Sequence, residues 1–380
     1  MKSKRFGLFV ILVSLLALSV ASCDSTTPPS PSAPGGNVEA PENNPGGQDS
    51  PDESQTQAHV HEYGDWTVTK EASCAAEGSQ EKTCSCGHRQ TVALPKLEHT
   101  YSSQTWACSE CGAAKYTAYS GYSDYAQVCS VTETNGVVTM HYNSAAAVRI
   151  DLNHFSLDGG KTYVFVFGSE AGAAMISSEG ALYGNVRVVV ENHMGSYDLV
   201  LRNVQLQNNH TVLKSDAATL KLGFYGNAVG LQTMKAAGGS DGESFGAFQI
   251  GNGGPGGNGA NASAAIECNG KLDIVCGADT AIRGGDGGNG GNGGNSDSSG
   301  SSGGQGGNGG NGAHAIKADS IQVSFDNGKD KSNLTLLGGA GGSGGSGGKG
   351  AFLFGIGGSY APNGSGGSSA PATNVEVQYN

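Results

Sequence analysis

The residues best placed to do chemistry are cysteines and histidines crowded into a short stretch. Cys84-x-Cys86 and Cys108-x-x-Cys111 are two close thiol pairs with 21 residues between them. Four thiolates in two knuckles suit a tetrahedral zinc ribbon, although the first pair is one residue shorter than the usual knuckle. His59, His61, His88 and His99 are further candidate ligands. The competing reading is a disulfide framework of Cys74, Cys84, Cys86, Cys108 and Cys111, which export would favour. Each pair is too tight to bridge internally without strain, a point for metal. Either staple is structural, because a module this small has too little core to hold itself together. A catalytic zinc needs three ligands and an open position, and nothing in the sequence marks one. No cofactor is required by the sequence; a single structural zinc is the one candidate. Elsewhere, Cys268 and Cys276 are expected to be a pair or buried thiols, and Cys129 has no evident partner.

The same stretch carries an internal repeat. His61-x-Tyr63-x-x-Trp66 leads to Cys84-x-Cys86-Gly87, and His99-x-Tyr101 with Trp106 leads to Cys108-x-x-Cys111-Gly112. The unit resembles the small Cys/His repeats strung between larger domains in surface proteins of Gram-positive and gut bacteria. It defines a module over residues 59–115.

Upstream, Lys2, Lys4 and Arg5 precede an apolar run over residues 6–18, too short to span a bilayer comfortably. Val20-Ala21-Ser22-Cys23 follows and resembles the bacterial lipobox. That resemblance implies a signal peptide over 1–22, acylation of Cys23, and a membrane partner reached through lipid. The protein would then sit outside the cytoplasm, at the cell surface or in the periplasm. Residues 23–58, rich in Pro, Ser, Gly, Asn and acids, read as a disordered tether. Without residues 1–22 the chain carries 18 Lys and Arg against 33 Asp and Glu, a net charge near −15. Phosphate binding needs clustered cations, so nucleic acid is not an expected partner.

Beyond the module the chain is expected to be all-β. Val186–Val190, Tyr197–Leu201, Val204–Leu206 and Leu220–Phe224 are short β-branched or alternating runs bounded by turn residues, with no sustained helical period. Such spacing permits a sandwich or a right-handed parallel β-helix. The helix is preferred, as a solenoid-like region over 116–250, because one order of strands and glycine recurs through the last third. Residues 140–235 faintly resemble carbohydrate-binding β-helix lipoproteins of clostridia.

Glycine makes up 65 of 380 residues, about two-thirds of it after residue 235, where Gly-Gly-x or near triplets run at 251–259, 284–294, 303–312 and 338–350, with a looser fifth tract after Gly355. A three-residue period suits polyproline II geometry. The tracts resemble polyglycine II bundles of some arthropod antifreeze proteins and phage tail-tip adhesins, against the plain reading of a flexible linker. The outward residues are hydrogen-bonding amides, ill suited to an ice face. Residues 251–380 are therefore expected to be a Gly-rich polyproline or polyglycine II bundle with interleaved strands.

These features point to a surface binding or adhesive protein, directed at a glycan or another surface polymer. Tyr116, Tyr119, Tyr122 and Tyr125 recur every three residues and could stack on sugar rings or enter the core. The alternatives are a polysaccharide lyase or hydrolase, with Asp151, Asp158, Asp198, Asp216, Arg187, Arg202 and His193 as candidates, or a coat or spacer without a specific ligand. No Gly-x-Ser-x-Gly, His-Glu-x-x-His or P-loop motif is present.

Overall fold

Strand-forming residues dominate the described chain, and they assemble into an all-β structure. The computed structural model describes residues 60–119, 121–191, 193–245, 251–297, 301–353, 356–357 and 359–380. The expected signal peptide, Cys23, the tether and His59 lie outside the described residues. Residues 61–380 form one compact unit.

The first part of that unit is a small antiparallel meander of Thr67–Lys70, Gly78–Thr83 and Arg89–Leu94. Its strands are largely exposed. Among the described residues, the only buried apolar side chains before Tyr116 are Cys74, Cys84 and Cys108. The module has sulfur where a larger domain has a hydrocarbon core.

From Thr117 onward the chain builds three largely parallel sheets, entering the third from Leu182 on; the one antiparallel pair among them joins Ser130–Thr134 to Val137–Tyr142 at the edge of the first. The first sheet receives Val137–Tyr142, Thr162–Phe167, Val186–Val190, Leu213–Ser215, Ile266–Cys268 and Ile316–Lys317 in succession. The second receives Thr117–Tyr119, Val148–Asp151, Ala174–Ser177, Ser196–Arg202, Thr219–Tyr225, Lys271–Cys276, Ser320–Phe325 and Val377–Tyr379. The third receives Leu182–Tyr183, Gln205–Asn208, Ala228–Thr233, Asp279–Arg283 and Leu334–Leu337. Each circuit lays its strand beside the matching strand of the circuit before, so like residues stack. Leu199, Leu222, Ile274 and Val323 form one such ladder, and Phe165, Val188, Leu213, Ile266 and Ile316 form another. Alternation along each strand turns these ladders inward, where they form one continuous apolar cluster. Tyr125, on the short helix Tyr122–Ala126, is wholly buried against Tyr142, Phe155 and Phe165 and closes the N-terminal end of that cluster.

The corner between the second and third sheets needs a left-handed residue. Asn203 takes φ 55° and its side-chain carbonyl accepts the Asn227 N–H at 2.6 Å. One circuit later Gly226 takes φ 94°, where a Cβ would collide with the Asn203 side chain. Cys268 and Cys276 are buried thiols in the stack, and Cys129 is half-buried. No disulfide joins any cysteine among the described residues.

In the last circuits the return from the third sheet to the first is lengthened into out-and-back glycine tracts. Tracts 234–245, 284–295 and 338–349 leave the third sheet; 251–263, 302–313 and 359–372 return. Sequential tracts run antiparallel and hydrogen-bond in order. The N–H of Gly257 donates to Ser240, Gly291 to Gly257, Gly307 to Gly291 and Gly345 to Gly307 at 2.7–2.8 Å, then Gly364 to Gly345 at 2.9 Å. Outgoing tracts also pair with outgoing ones, as in Gly239 to Asn289 and Gly290 to Ser343 at 2.8 Å. Returning tracts do the same, as in Gly309 to Ser365 at 2.8 Å.

This arrangement explains the triplet. In tracts 251–263, 284–295 and 302–313 two N–H groups of a triplet reach backbone carbonyls in different neighbours and the third points outward, whereas tracts 234–245, 338–349 and 359–372 donate one per triplet to a backbone carbonyl. Asparagine at the outward position of one tract supplies the missing acceptor for the next. Asn258 Oδ1 accepts from Asn308 N at 2.9 Å, and Asn308 Oδ1 accepts from Ser365 N at 2.8 Å. Asn292 and Asn295 likewise accept from Ser346 and Lys349 at 3.0 and 2.8 Å. These amides are on the exposed side of the tracts, so the ladder adds tract-to-tract bonds at the surface of the bundle of backbones. In the last two described tracts the corresponding positions are Ala340, Ser343, Ser346 and Lys349, then Pro362, Ser365 and Ser368, and Asn363 Oδ1 accepts the Gly347 N–H at 2.8 Å. Leu213–Ser215 pairs in parallel with Ile266–Cys268, so the first sheet runs from residues before the tracts into residues between them.

Two predictions follow the same geometry. A Cβ on buried Gly307 would run into the Gly257 carbonyl, whereas on exposed Gly366 its nearest neighbour is 3.6 Å away. Gly307→Ala is expected to destabilise by about 1–3 kcal/mol, as overpacking does, and Gly366→Ala to be near neutral; calorimetric melting of the two variants checks this. Asp286 stands at an outward position and accepts the Ala340 N–H, which, with Arg283, holds its carboxyl below the usual range. A depressed folded pKa gives stability that is present above the unfolded pKa and lost as pH falls through the folded one. Asp286→Asn keeps the acceptor and cannot titrate, so its melting temperature should fall less than wild type as the solution is taken below about pH 4.

Candidate functional site

The cysteine-rich module brings its ligands together in two separate clusters among the described residues. Cys74, His99, Cys108 and Cys111 place their ligand atoms within 4.8 Å of one another, and so do His61, Cys84 and Cys86. The four cysteines expected to share one ion are thus divided. Each knuckle instead pairs with the histidine that opens its own repeat, and Cys74 joins the second set. The sequence signal for this was present in the repeat order, His before Cys pair, but local thiol spacing alone obscured it.

The knuckles are built alike. Cys108 N donates to Ala113 O at 2.8 Å and Gly112 N returns to Cys108 O at 2.9 Å. Cys84 N donates to His88 O at 2.8 Å and Gly87 N returns to Cys84 O at 2.9 Å. Gly112 and Gly87 take φ 73° and 88°, as such turns require. In the second cluster the Sγ atoms of Cys74 and Cys108 are 3.6 Å apart, and Cys111 Sγ lies 3.4 Å from His99 Nδ1. A tetrahedron with zinc–sulfur bonds near 2.3 Å and zinc–nitrogen bonds near 2.0 Å has edges of roughly 3.8 and 3.5 Å. The donor set therefore fits a metal ion of that size. The Cys111 backbone N–H, the His99 side chain and the Glu110 backbone N–H draw the Cys108 thiol down, favouring the thiolate a metal would bind. Burial first, and then the neighbouring thiols, push Cys74 up, so without a cation it stays protonated.

The second repeat rests on the outer face of the second sheet. Trp106 stands edge-on to Tyr116 at 5.7 Å and to Tyr225 at 5.1 Å, over Met175 and Val200. Trp106 has φ 57°, costly for a bulky residue, and it is held there by this aromatic cluster.

The tyrosine series separates by role. Tyr116 joins the outer cluster, Tyr125 is buried in the core, and Tyr119 and Tyr122 are partly buried against it, Tyr122 also lining a hollow of about 450 Å³ at the N-terminal end of the sheets. Tyr163, Ser123, Asp124, Glu133, His154, Ser156 and Lys161 share the hollow with it. Lys161 Nζ lies 2.8 Å from Glu133 Oε1, which raises the lysine pKa and fixes both side chains on the rim. The Tyr163 hydroxyl accepts the Asp158 N–H at 2.9 Å, setting the ring's position.

The polar residues considered for polysaccharide chemistry are dispersed. Asp151 caps the short turn at Leu152–His154 and meets His154 at 3.5 Å. Asp158 accepts from Gly160 N, Asp216 from Asn269 Nδ2, and Arg187 donates to Thr211 O. Asp198 and Arg202 line separate hollows either side of Trp106, while the His193 ring lies 4.4 Å from that of Tyr197. No known protein family, curated protein or solved structure matches this chain. No helix among the described residues is long and apolar enough to cross a membrane.

Cys74→Ser removes the one ligand in the second cluster that neither knuckle nor repeat histidine supplies. The substitution is expected to cost about one bound metal per chain and to open the module to proteolysis, since structural zinc binding and folding are linked. Metal content and limited proteolysis of the variant check both.

Proposed function

We propose that this protein is a membrane-anchored, surface-exposed binding or adhesive protein directed at carbohydrate. The observation that carries the reading is the hollow at the N-terminal end of the sheets. Its volume is within the usual range for small-ligand sites. Tyr122, half-buried at the wall, offers a ring to sugar C–H surfaces, and Asp124, Glu133, His154 and Lys161 offer hydrogen bonds to hydroxyls. The anchor would be lipid on Cys23, with residues 23–58 as a tether.

In this reading the three parallel sheets are the faces of one right-handed β-helix, and the tracts form a polyglycine II slab continuous with it. The succession of sheets and the three-residue hydrogen-bond period support both. The second Cys/His cluster would hold a structural zinc. Two carboxylates, Asp124 and Glu133, share the hollow and favour a polysaccharide-cleaving enzyme as the second reading.

Screening the protein on a glycan array and titrating the retained glycan by calorimetry tests the proposal. Tyr122→Ala is expected to weaken binding by about five- to 150-fold, the loss of one aromatic contact of about 1–3 kcal/mol. Release of new reducing or unsaturated ends from the glycan would favour the enzyme. Absence of any retained glycan would overturn the binding reading.

A further inference from the structure

Trp106 divides the seam between the second repeat and the second sheet into two hollows of different charge. One holds Lys115, Lys221 and Asp198. The other, of about 170 Å³, holds Arg149 and Arg202 over Met175, with Gln104 and Thr105 at its rim and no carboxylate in its lining. The chain has six arginines and a formal net charge of −12, so two guanidiniums gathered in one hollow reverse its charge locally. The sheet register sets them there. Arg149 lies beside Met175, and two positions on Ser177 lies beside Arg202, so both side chains leave the same outward face. Arg149 is anchored: its Nε donates to Ser177 Oγ at 3.2 Å and its Nη2 lies 3.6 Å from Asp151 Oδ2. Its side chain is still 37% exposed, so it is open to solvent.

We propose that this hollow binds the anionic group of an acidic sugar, a carboxylate or a sulfate ester, with the ring against Trp106. A guanidinium offers its donors in a rigid planar fork that two oxygens of such a group match. Trp106 is half-buried and presents an apolar wall to sugar C–H surfaces, while Gln104 and Thr105 are exposed for hydroxyls. The hollow is smaller than the roughly 300–1,000 Å³ of a complete ligand pocket, so it takes one residue of a longer glycan. The left-handed φ of 57° at Trp106 is the kind of backbone cost that is kept at ligand sites. That the anion is borne by a sugar rests on the carbohydrate reading above. The site itself does not, as it shares no lining residue with the hollow that Tyr122 lines.

Titration calorimetry of the full chain in detergent compares a tetrasaccharide of glucuronic acid with its carboxyl methyl ester and with a sulfated neutral tetrasaccharide. An anionic probe should bind at least about tenfold tighter than the ester, since hydrogen bonds to charged groups are the stronger ones. Which of the two does so names the anion. Arg202→Gln should weaken that probe about ten- to 100-fold and leave the ester unchanged. Arg202→Lys should restore only part of the loss, because it returns charge without the fork. Tyr122→Ala should leave the preference for the anion intact. The inference is overturned if the ester binds as well as both anionic probes, a comparison that holds even if the Arg202 variant fails to fold. A folded Arg202→Gln protein that keeps the preference overturns it too. Competition by oligoglutamate as strong as by the sugar acid would overturn the sugar assignment. Neutral glycans bound with no preference for the anion sink this inference alone, and no binding by any glycan sinks the carbohydrate reading with it.

Discussion

Backbone hydrogen bonding between glycine tracts is the constraint on which the C-terminal half depends. A tract of glycines buries no side chain, so its cohesion comes from N–H···O=C bonds and from backbones in van der Waals contact. The ladder that links Ser240, Gly257, Gly291, Gly307, Gly345 and Gly364 exists because no Cβ stands between those chains. Each such bond adds only about 0.5–1.5 kcal/mol net, while ordering a glycine costs more than ordering any other residue. The tracts are ordered because each is held at its base by a strand of the parallel sheets. The sheets bring the chain back to the same place on every circuit, and the tracts inherit that register.

The same dependence gives the asparagines their meaning. An outward amide on one tract accepts the outward N–H of the next tract of the same direction, so the bonding between tracts has a direction. Cooperation between neighbouring units, with atypical ends, is the behaviour of repeat architectures. At the other end Tyr125 closes the apolar interior. The Cys/His module has no such interior, and sulfur fills its place.

Much of this was legible in residue types. Alternation in Val186–Val190 and Thr219–Tyr225 marked strands, and strict triplets marked the later tracts. The first tract, 234–245, shows no strict triplet, because Ala236, Ala237, Ser240 and Ser244 dilute its glycines; its sign in the sequence is a small residue at every third position. Grouping of the thiols was not legible from knuckle spacing, since the partners of Cys108 and Cys111 are Cys74 and His99, brought in by the meander. The roles of the four tyrosines were likewise undetermined, because a three-residue spacing through an irregular segment fixes no common face.

Amide hydrogen exchange of the glycine tracts, followed residue by residue in the intact protein, tests the central claim most directly. If the tracts are one hydrogen-bonded body with the sheets, the amides of Gly288, Gly291, Gly307 and Gly310 should exchange as slowly as those of Val188 and Leu222, and the outward amide of Asn308 should also be protected. Exchange of the tract amides at the rate of an unstructured chain, with the sheet amides still protected, would contradict it.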